Sequence, residues 1–199
     1  VIFTRRKKLW EDYEKDENTK LEEIKKNFVS EFEMTEEIFD VVNECDEVIG
    51  QQTRSEVHRM GLRHRAIHLL VYNSKGELFL QKRSIKKDCF PDTWDSSASG
   101  HLDSGEDYDS CILREPREEL GLKLKQPPER LFKIDACVET GQEFVWVYKL
   151  FHEGPFQLDP EEISDGGWFS MRQIDDWIAE SPKDFAPAFV LIWQLLKIN

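Results

Sequence analysis

The chain has 199 residues, of which 12% are aromatic, and a formal net charge of −13. A chain of this length can bury a sizeable core, so we expect one compact domain. The acidic balance argues against a nucleic-acid polymer as a partner, because no broad basic surface is available to meet its phosphates. The net negative charge does not exclude a small anionic substrate, provided that cations supply a positive field where the substrate binds.

The cysteine pattern and the hydropathy bear on the cellular compartment of the protein and on membrane association. Four cysteines are scattered without a C-x-x-C pair, at Cys45, Cys89, Cys111 and Cys137. This pattern predicts reduced thiols in a cytoplasmic protein. No apolar run is long enough to span a bilayer and no secretory signal is evident, so we expect no membrane partner. The chain begins with Val1-Ile2-Phe3-Thr4, followed by the basic residues 5–8. This arrangement leaves open a trimmed membrane anchor as an alternative.

Residues 5–33 are dense in charged side chains. Their apolar positions recur at helical spacing, at Leu21, Ile24, Phe28 and Phe32. We expect an amphipathic helix that either packs on the domain or mediates self-association into a homodimer. The sequence is therefore divided into a charged helical extension, residues 1–35, and a domain, residues 36–199.

The domain begins with strand patterns. Residues 39–49 predict a hairpin arm with its turn at 43–46. Two further strands are joined by a tight turn containing Asn73 and Gly76. The expected strands after the arm are 65–72, 77–83, 131–139, 143–151 and 166–169, and the expected final helices are 171–180 and 185–197.

The stretch from Gly100 to Leu122 carries the most functional information. Its pattern is G-x5-E-x7-R-E-x2-E-E-x-G followed by an apolar residue. Residues 104–107 predict the beginning of a helix with a hydroxyl cap and acidic residues in its first turn. Gly121 predicts the end of that helix, where a left-handed residue is needed.

Three carboxylates of this stretch point to a metal ion. Glu115, Glu118 and Glu119 are three and four residues apart, so they share one helix face. Like charges at this spacing destabilise a bare helix by about 0.2–0.5 kcal/mol per pair, which suggests a counter-charge. Arg114 can pair with Glu118, and clustered oxygen ligands suit Mg²⁺ or Mn²⁺. A solvated acidic face is the alternative for the glutamates alone, but the full spacing favours the metal site.

The full spacing resembles the Nudix box, and roughly residues 36–197 resemble a Nudix hydrolase. The resemblance implies an α/β/α sandwich with a mixed sheet, in which the box forms a loop-helix-loop. It implies that Glu115, Glu118 and Glu119 hold divalent metal against the diphosphate of the substrate. Glu118 or Glu119 would also activate the attacking water.

The resemblance gives roles to further box positions. Arg114 and Glu106 would orient the metal-binding glutamates, and the carbonyl of Gly100 would complete the metal shell. Pro116 departs from the family, which usually has an aliphatic residue there. A proline inside a helix costs about 3 kcal/mol, so we expect a kink in the helix between Glu115 and Glu118.

Segments upstream resemble the Nudix branch that contains isopentenyl-diphosphate isomerase and its bacterial hydrolase-like relatives. The isomerase has a catalytic cysteine directly before a Gly-His pair, where this chain has Ser99. A serine hydroxyl is a far weaker acid than a thiol and cannot readily take over its proton transfer. By position, Arg83 and Lys87 match the basic pair that grips the diphosphate. The segments that carry this resemblance are residues 64–83, 90–94 and 99–101.

A second metal site is only partly matched. His64 and His101 correspond to two metal-binding histidines of the isomerase, with ordinary polar or capping roles as the alternative. Glu143 falls near a metal-bound glutamate, whereas the partner two residues earlier is Gly141 here. Many Nudix enzymes carry an additional acid in a loop after the box. The acidic residues 159–165 occupy such a place, and a solvated connection is the alternative.

We therefore expect a Mg²⁺- or Mn²⁺-dependent hydrolase that cleaves a diphosphate linkage in a small nucleoside or other organic diphosphate. Three alternatives stay open. The first is an isopentenyl-diphosphate isomerase-like enzyme. The second is a non-catalytic sensor of a nucleotide or prenyl diphosphate, in which Pro116 has spoiled the catalytic geometry. The third is a protein-interaction role centred on residues 5–33.

Overall fold

The structure is a computed structural model that describes residues 36–198. The helical extension expected over residues 1–35 lies outside the described residues. The elements follow in the order β1 (Ile38–Val42), β2 (Val48–Thr53), α1 (Arg54–Met60), β3 (His64–Tyr72), β4 (Leu78–Arg83), β5 (Trp94–Asp95), β6 (Ala98–His101), α2 (Tyr108–Leu120), β7 (Glu129–Ile134), β8 (Glu143–Phe151), β9 (Ile163–Phe169), α3 (Met171–Glu180), a 3₁₀ helix (Pro182–Asp184) and α4 (Pro187–Leu196).

A mixed sheet organises this part of the chain. Its strands run in the order β5-β4-β3-β8-β7, while β6 pairs with β3 and β9 pairs with β4. β3 and β8 are parallel, and their register places His64 opposite Glu143. β6 is antiparallel to β3 and places His101 opposite Ala66. The beginnings of β3 and β8 and the end of β6 therefore meet at one end of the sheet.

Alternation along β3 separates two buried layers. Ala66 and Leu70 pack in a cluster that includes side chains of α3 and α4. Ile67 and Leu69 pack in a second cluster with Ile112 of α2. Because successive strand residues point to opposite faces, helices cover both sides of the sheet. The expected α/β/α sandwich with a mixed sheet is confirmed.

Several predicted elements are confirmed with small changes of bounds. The strands predicted at 65–72, 77–83 and 143–151 are β3, β4 and β8, and the helix predicted at 171–180 is α3. The hairpin arm is the β1–β2 pair, whose turn is held by Asn43 accepting hydrogen bonds from the N–H groups of Cys45 and Glu47. The final helix begins at Pro187, after the short 3₁₀ helix.

Two strand predictions had wrong bounds, and one helix was missed. The strand expected over 131–139 ends at Ile134, because residues 137–142 form turns with positive φ at Gly141 and Gln142. The strand expected at 166–169 already begins at Ile163. α1 was not predicted, since only Val57 of its residues is buried and the helix shows no apolar periodicity.

The described residues include no helix long and apolar enough to cross a membrane. All four cysteines are free. Cys111 is buried on α2, whereas Cys45 is exposed near the β1–β2 turn.

Candidate active site

Helix α2 carries the glutamate motif. It begins after Asp107, whose carboxylate caps an N–H of the first turn, and it ends at Gly121 with φ of 67°. The predicted hydroxyl cap was wrong. Ser104 instead donates a 2.9 Å hydrogen bond to Asp40 of β1, which also accepts one from the N–H of Gly105. The residues before α2 are thus tied to the hairpin arm.

Pro116 does not end the helix, which continues to Leu120. The proline is buried among the residues of α2 that face the sheet. Its carbonyl accepts hydrogen bonds from the N–H groups of Gly121 and Leu122 at the end of the helix. The proline therefore supplies apolar volume and an acceptor that closes the last turn.

Arg114 connects the acidic residues of the site. Its Nε and Nη2 donate to the two oxygens of Glu106 at 3.1 and 2.7 Å. Its Nη1 donates to Glu115 at 2.6 Å and to Glu118 at 3.2 Å. Nη2 also donates to the backbone carbonyl of His101 at 2.9 Å. The two-pronged contact with Glu106 fixes the plane of the guanidinium, which a lysine could not reproduce.

Gly100 of β6 lies against the carboxylate of Glu115. A Cβ atom at this position would lie 2.0 Å from Cδ of Glu115. The clashing atoms belong to the tip of the glutamate side chain, so any larger residue would push the carboxylate away from its place. Glycine is therefore needed at position 100 for the observed approach of strand and carboxylate.

Glu119 is buried, which the predicted common face of the three glutamates did not anticipate. Glu119 as a whole residue is 4% exposed, whereas the side chain of Glu118 is 57% exposed. Neighbouring positions on a helix differ by about 100° in direction, so these two carboxylates enter different surroundings. Oε2 of Glu119 accepts hydrogen bonds from the N–H of Ser99 at 3.0 Å and the amide of Gln81 at 3.3 Å.

The buried carboxyl of Glu119 is electrostatically unfavourable as an anion. Burial raises its pKa well above the usual range, and the charge of Glu115 raises the pKa further. Lys87 lowers the pKa of Glu119, while Glu162 raises it. Two neighbouring carboxylates in such surroundings call for additional positive charge.

The basic residues at the end of β4 and in the loop after it are already paired with acids. Arg83 approaches Asp95 at 3.4 Å and donates to the carbonyl of Cys89 at 3.0 Å. Lys87 forms an ion pair with Glu162 of the acidic loop. The remaining pairs of this segment are Lys82 with Asp92 and Lys86 with Glu161. The segment therefore has little uncompensated positive charge.

A second group of ligand-type side chains lies where β3, β6 and β8 meet. Nε2 of His101 is 3.0 Å from Oε1 of Glu143, and Nε2 of His64 is 3.6 Å from the same oxygen. Nδ1 of His64 is hydrogen-bonded to the carbonyl of Leu62 at 2.9 Å. Nε2 of His64 is buried and has no hydrogen-bond partner among residues 36–198.

His58 of α1 completes this group and was missed from the sequence. Its ring centre lies 5.3 Å from that of His64 and 5.2 Å from that of His101. One ligand atom of each of the three histidines lies within 4.8 Å of the others. The available signal was the H-x5-H spacing of residues 58 and 64, with Gly61 between them ending α1 at φ of 60°.

The protonation of the histidine group suits metal binding. Burial lowers the pKa of His101 to about 4 and also lowers the pKa of His58. Both imidazoles are therefore neutral near pH 7 and can offer a nitrogen lone pair. Burial raises the pKa of Glu143, but the hydrogen bond with His101 and the proximity of both imidazoles outweigh the effect of burial and hold the pKa below the usual range.

Strand β6 separates the carboxylate group from the histidine group. Gly100 faces Glu115 of α2, and the adjacent His101 faces Glu143. Because neighbouring strand residues point to opposite sides, the two groups lie on opposite faces of the sheet. The carbonyl of His101, which Arg114 binds, connects them through the backbone.

A scan against protein families matches this chain to the NUDIX domain over residues 62–189. That range contains β3 to β9, the whole glutamate motif and more than half of the chain. The chain belongs to the Nudix family. The resemblance of the motif to the Nudix box is thereby confirmed.

Relatives of this Nudix chain include hydrolases and an isomerase. A Nudix hydrolase of Deinococcus radiodurans is 34% identical over 142 residues, which cover 71% of this chain and 83% of that protein. The isopentenyl-diphosphate Delta-isomerase of Serratia proteamaculans is 30% identical over 167 residues, which cover 82% of this chain and 93% of that protein. The resemblance to Nudix hydrolases and to isopentenyl-diphosphate isomerase is confirmed.

A solved Nudix structure has the same fold. The crystal structure of DR0079 from Deinococcus radiodurans is 33% identical, with a TM-score of 0.65, and the match covers 72% of this chain and 90% of that one. Together with the family match, this similarity makes the chain a hydrolase of the class that acts on pyrophosphate bonds.

Proposed function

We propose that this Nudix chain cleaves a diphosphate linkage in a small nucleoside or other organic diphosphate, with Mg²⁺ or Mn²⁺ as cofactor. The observation that carries the proposal is the Arg114 network. One guanidinium gathers Glu106, Glu115 and Glu118 beside the buried Glu119. Four carboxylates against one cation leave an excess of negative charge that a divalent ion would compensate.

The donor set fits a hard divalent ion. Glu115, Glu118 and Glu119 would hold it, and the carbonyl of Gly100 would add a further oxygen. Oxygen donors are those that Mg²⁺ and Mn²⁺ prefer. The raised pKa of Glu119, caused by burial and by Glu115, would be reversed by a nearby cation. When bound, such an ion neutralises charge on the phosphate oxygens and lowers the pKa of a water molecule.

The protein groups would position and deprotonate the water. Glu118 or Glu119 accepts its proton as the new bond between oxygen and phosphorus forms and the bridging P–O bond breaks. Arg114, held by Glu106, keeps Glu115 and Glu118 in place. Activity then requires the carboxylates to stay in fixed positions, which the rigid fork of Arg114 provides.

The basic residues would bind the diphosphate by exchanging partners. Lys87 would leave Glu162 for a phosphate oxygen, and Arg83 would use the guanidinium donors that now contact Asp95. Such an exchange should change the electrostatic energy of Lys87 and Arg83 little, because each cation exchanges one anionic partner for another. It would also release Glu162 next to Glu119, where a further acid can serve the metal or the water.

The histidine group is proposed as a second metal site. His64, His101 and Glu143 would be its ligands, together with His58. The buried Nε2 of His64, without a partner in the described part of the chain, supports this role. Three imidazoles and one carboxylate suit a borderline ion such as Zn²⁺ better than Mg²⁺.

An isomerase-like activity is the second candidate. The observation in its favour is the same histidine group, which gathers residues that match metal ligands of isopentenyl-diphosphate isomerase. The observation against it is Ser99, which stands where the isomerase has its catalytic cysteine. A hydroxyl at this position would be a poor proton donor to carbon.

The deciding experiment incubates the protein with a panel of diphosphates, with and without Mg²⁺ or Mn²⁺. The panel contains nucleoside di- and triphosphates, dinucleotides, sugar nucleotides and isopentenyl diphosphate. Metal-dependent release of phosphate or of a phosphorylated fragment supports the hydrolase. Proton exchange at carbon without phosphate release supports the isomerase.

Glu118→Gln should abolish metal-dependent turnover and leave the fold intact, because the side chain is largely exposed. Glu180→Gln, an exposed change at the end of α3, is the matched control. Unchanged turnover of Glu118→Gln would overturn the assignment of the carboxylate group. Ligand binding without turnover at any metal concentration would favour the sensor.

A further inference from the structure

Asp88 and Cys89, in the loop after β4, meet His58 of α1. Sγ of Cys89 lies 3.9 Å from Nδ1 of His58. A carboxylate oxygen of Asp88 lies 3.7 Å from the same nitrogen. The three ligand atoms all lie within 4.8 Å of one another. A thiol, an imidazole and a carboxylate therefore converge on one point. His58 is shared with the histidine group, whereas Asp88 and Cys89 belong to neither of the groups described above.

The separations are close to those around a tetrahedral zinc ion. With Zn–N about 2.0–2.1 Å and Zn–S about 2.3 Å, tetrahedral angles place the nitrogen and sulfur about 3.6 Å apart. With Zn–O about 2.0–2.2 Å, the nitrogen and oxygen are about 3.4 Å apart. The observed 3.9 and 3.7 Å exceed these values by about 0.3 Å, which small side-chain rotations can close.

We propose that His58, Asp88 and Cys89 form a binding site for a soft or borderline divalent cation, Zn²⁺ above all, that is separate from the carboxylate group on α2. Sulfur and imidazole ligands favour Zn²⁺, whereas Mg²⁺ requires oxygen ligands in near-octahedral geometry. Three protein ligands leave one position of a tetrahedral ion for water.

The ligands are held in place before an ion arrives. Arg83 donates to the carbonyl of Cys89 at 3.0 Å, and the N–H of Cys89 donates to Asp88 at 3.0 Å. Arg54 approaches the two oxygens of Asp88 at 2.9 and 3.4 Å. A carboxylate has about four lone-pair sites, so Asp88 can keep Arg54 and still bind a cation. The loop that carries the thiol is thus held by Arg83 at the carbonyl of Cys89 and by Arg54 at the carboxylate of Asp88.

Binding of the ion displaces a proton. A coordinated thiol is deprotonated by the metal, so Zn²⁺ uptake should release this proton and strengthen as pH rises.

The site can be tested with Co²⁺, which replaces Zn²⁺ and reports thiolate coordination by a charge-transfer absorption band in the near ultraviolet. The reduced, chelator-treated full chain is titrated with Co²⁺ and then with Zn²⁺. We expect the band to appear, to vanish in Cys89→Ser and to be displaced by Zn²⁺ but not by excess Mg²⁺. His58→Gln should weaken Zn²⁺ binding to this site at least tenfold.

Cys45→Ser and Cys137→Ser are the matched controls, and both should keep the band. The circular dichroism and melting temperature of each variant establish that it is folded before it is compared. The proposal is overturned if the wild-type chain gives no thiolate band, if a folded Cys89→Ser keeps the band, or if Mg²⁺ displaces Co²⁺ from it. None of these readouts depends on hydrolysis, so the proposal stands or falls separately from the proposed function.

Discussion

Replacing Arg114 with alanine should lower the free energy of unfolding by about 3–5 kcal/mol, because removing one partner of a buried ion pair leaves uncompensated charge. The side chains of Glu106 and Glu115 are each 13% exposed, so both would remain as poorly solvated anions. Glu118 is 57% exposed and contributes little, since exposed pairs are worth about 0–1 kcal/mol. Arg114 itself is 26% exposed, which favours the lower end of the range.

The pair with Glu106 can be isolated by a double-mutant cycle. Two parallel hydrogen bonds join the residues, at 3.1 and 2.7 Å. Hydrogen bonds to charged groups contribute about 1.5–3 kcal/mol, so Arg114→Ala combined with Glu106→Gln should show a coupling of that size. Arg114→Lys keeps the charge but loses the fork, and it should fall between wild type and alanine.

The measurement is urea unfolding followed by tryptophan fluorescence, with linear extrapolation to water. It is made first with a chelator and then with saturating Mg²⁺. If the carboxylates bind the ion, Mg²⁺ should recover part of the loss in Arg114→Ala, because a cation replaces the missing guanidinium.

Arg117→Ala is the control, because Arg117 is an exposed arginine on the same helix. It should change the free energy of unfolding by less than about 0.5 kcal/mol. Equal losses in the two variants, or a loss below about 1 kcal/mol for Arg114→Ala, would refute the network as an organising contact.

Three other changes test the helix and the strand beside it. Pro116→Ala should raise the free energy of unfolding by about 1–1.5 kcal/mol, because about 3 kcal/mol of helix penalty is removed and two buried methylenes of about 0.8 kcal/mol each are lost. A higher melting temperature by calorimetry would agree, and a lower one would show that the ring is essential packing. Gly100→Ala should displace the Glu115 carboxylate and reduce turnover about 100-fold with little change in melting temperature. Turnover near the wild-type rate would contradict that placement. Gly121→Ala should cost about 1–2 kcal/mol in urea unfolding because φ is 67°. Gly50→Ala, at an open position without positive φ, should lack that backbone penalty; equal losses would argue against it.

Local patterns were sufficient for the layers of the fold. The long apolar run of β3 and the charged pattern of α2 are each visible in a single segment, and the spacing of Arg114 and Glu118 predicted their ion pair. Burial of Glu119 was not visible in this way, since it depends on Ser99 and Gln81 from strands distant in sequence. The burial of Glu119 is therefore determined by tertiary contacts and not by its spacing on the helix.

Two further features of the site, the cap of α2 and the position of His58, were not predicted from the sequence for related reasons. Asp40 lies far from α2 in sequence and accepts the hydrogen bond of the Ser104 hydroxyl. The N-terminus of α2 is capped instead by the next suitable residue, Asp107. His58 sits on a helix of 7 residues that buries only Val57, which gives no apolar period to recognise. Short elements with one buried residue are the hardest to find from sequence alone.

Strand β6 restricts how this protein can be changed, by evolution or by engineering. Within its 4 residues, Gly100 serves one face of the sheet and His101 serves the other. A substitution can alter either group separately. Insertion or deletion of a single residue in β6 would exchange the faces, sending an imidazole toward α2 and removing the glycine from Glu115. Length variation should therefore be tolerated in the loops around β6 but not within it.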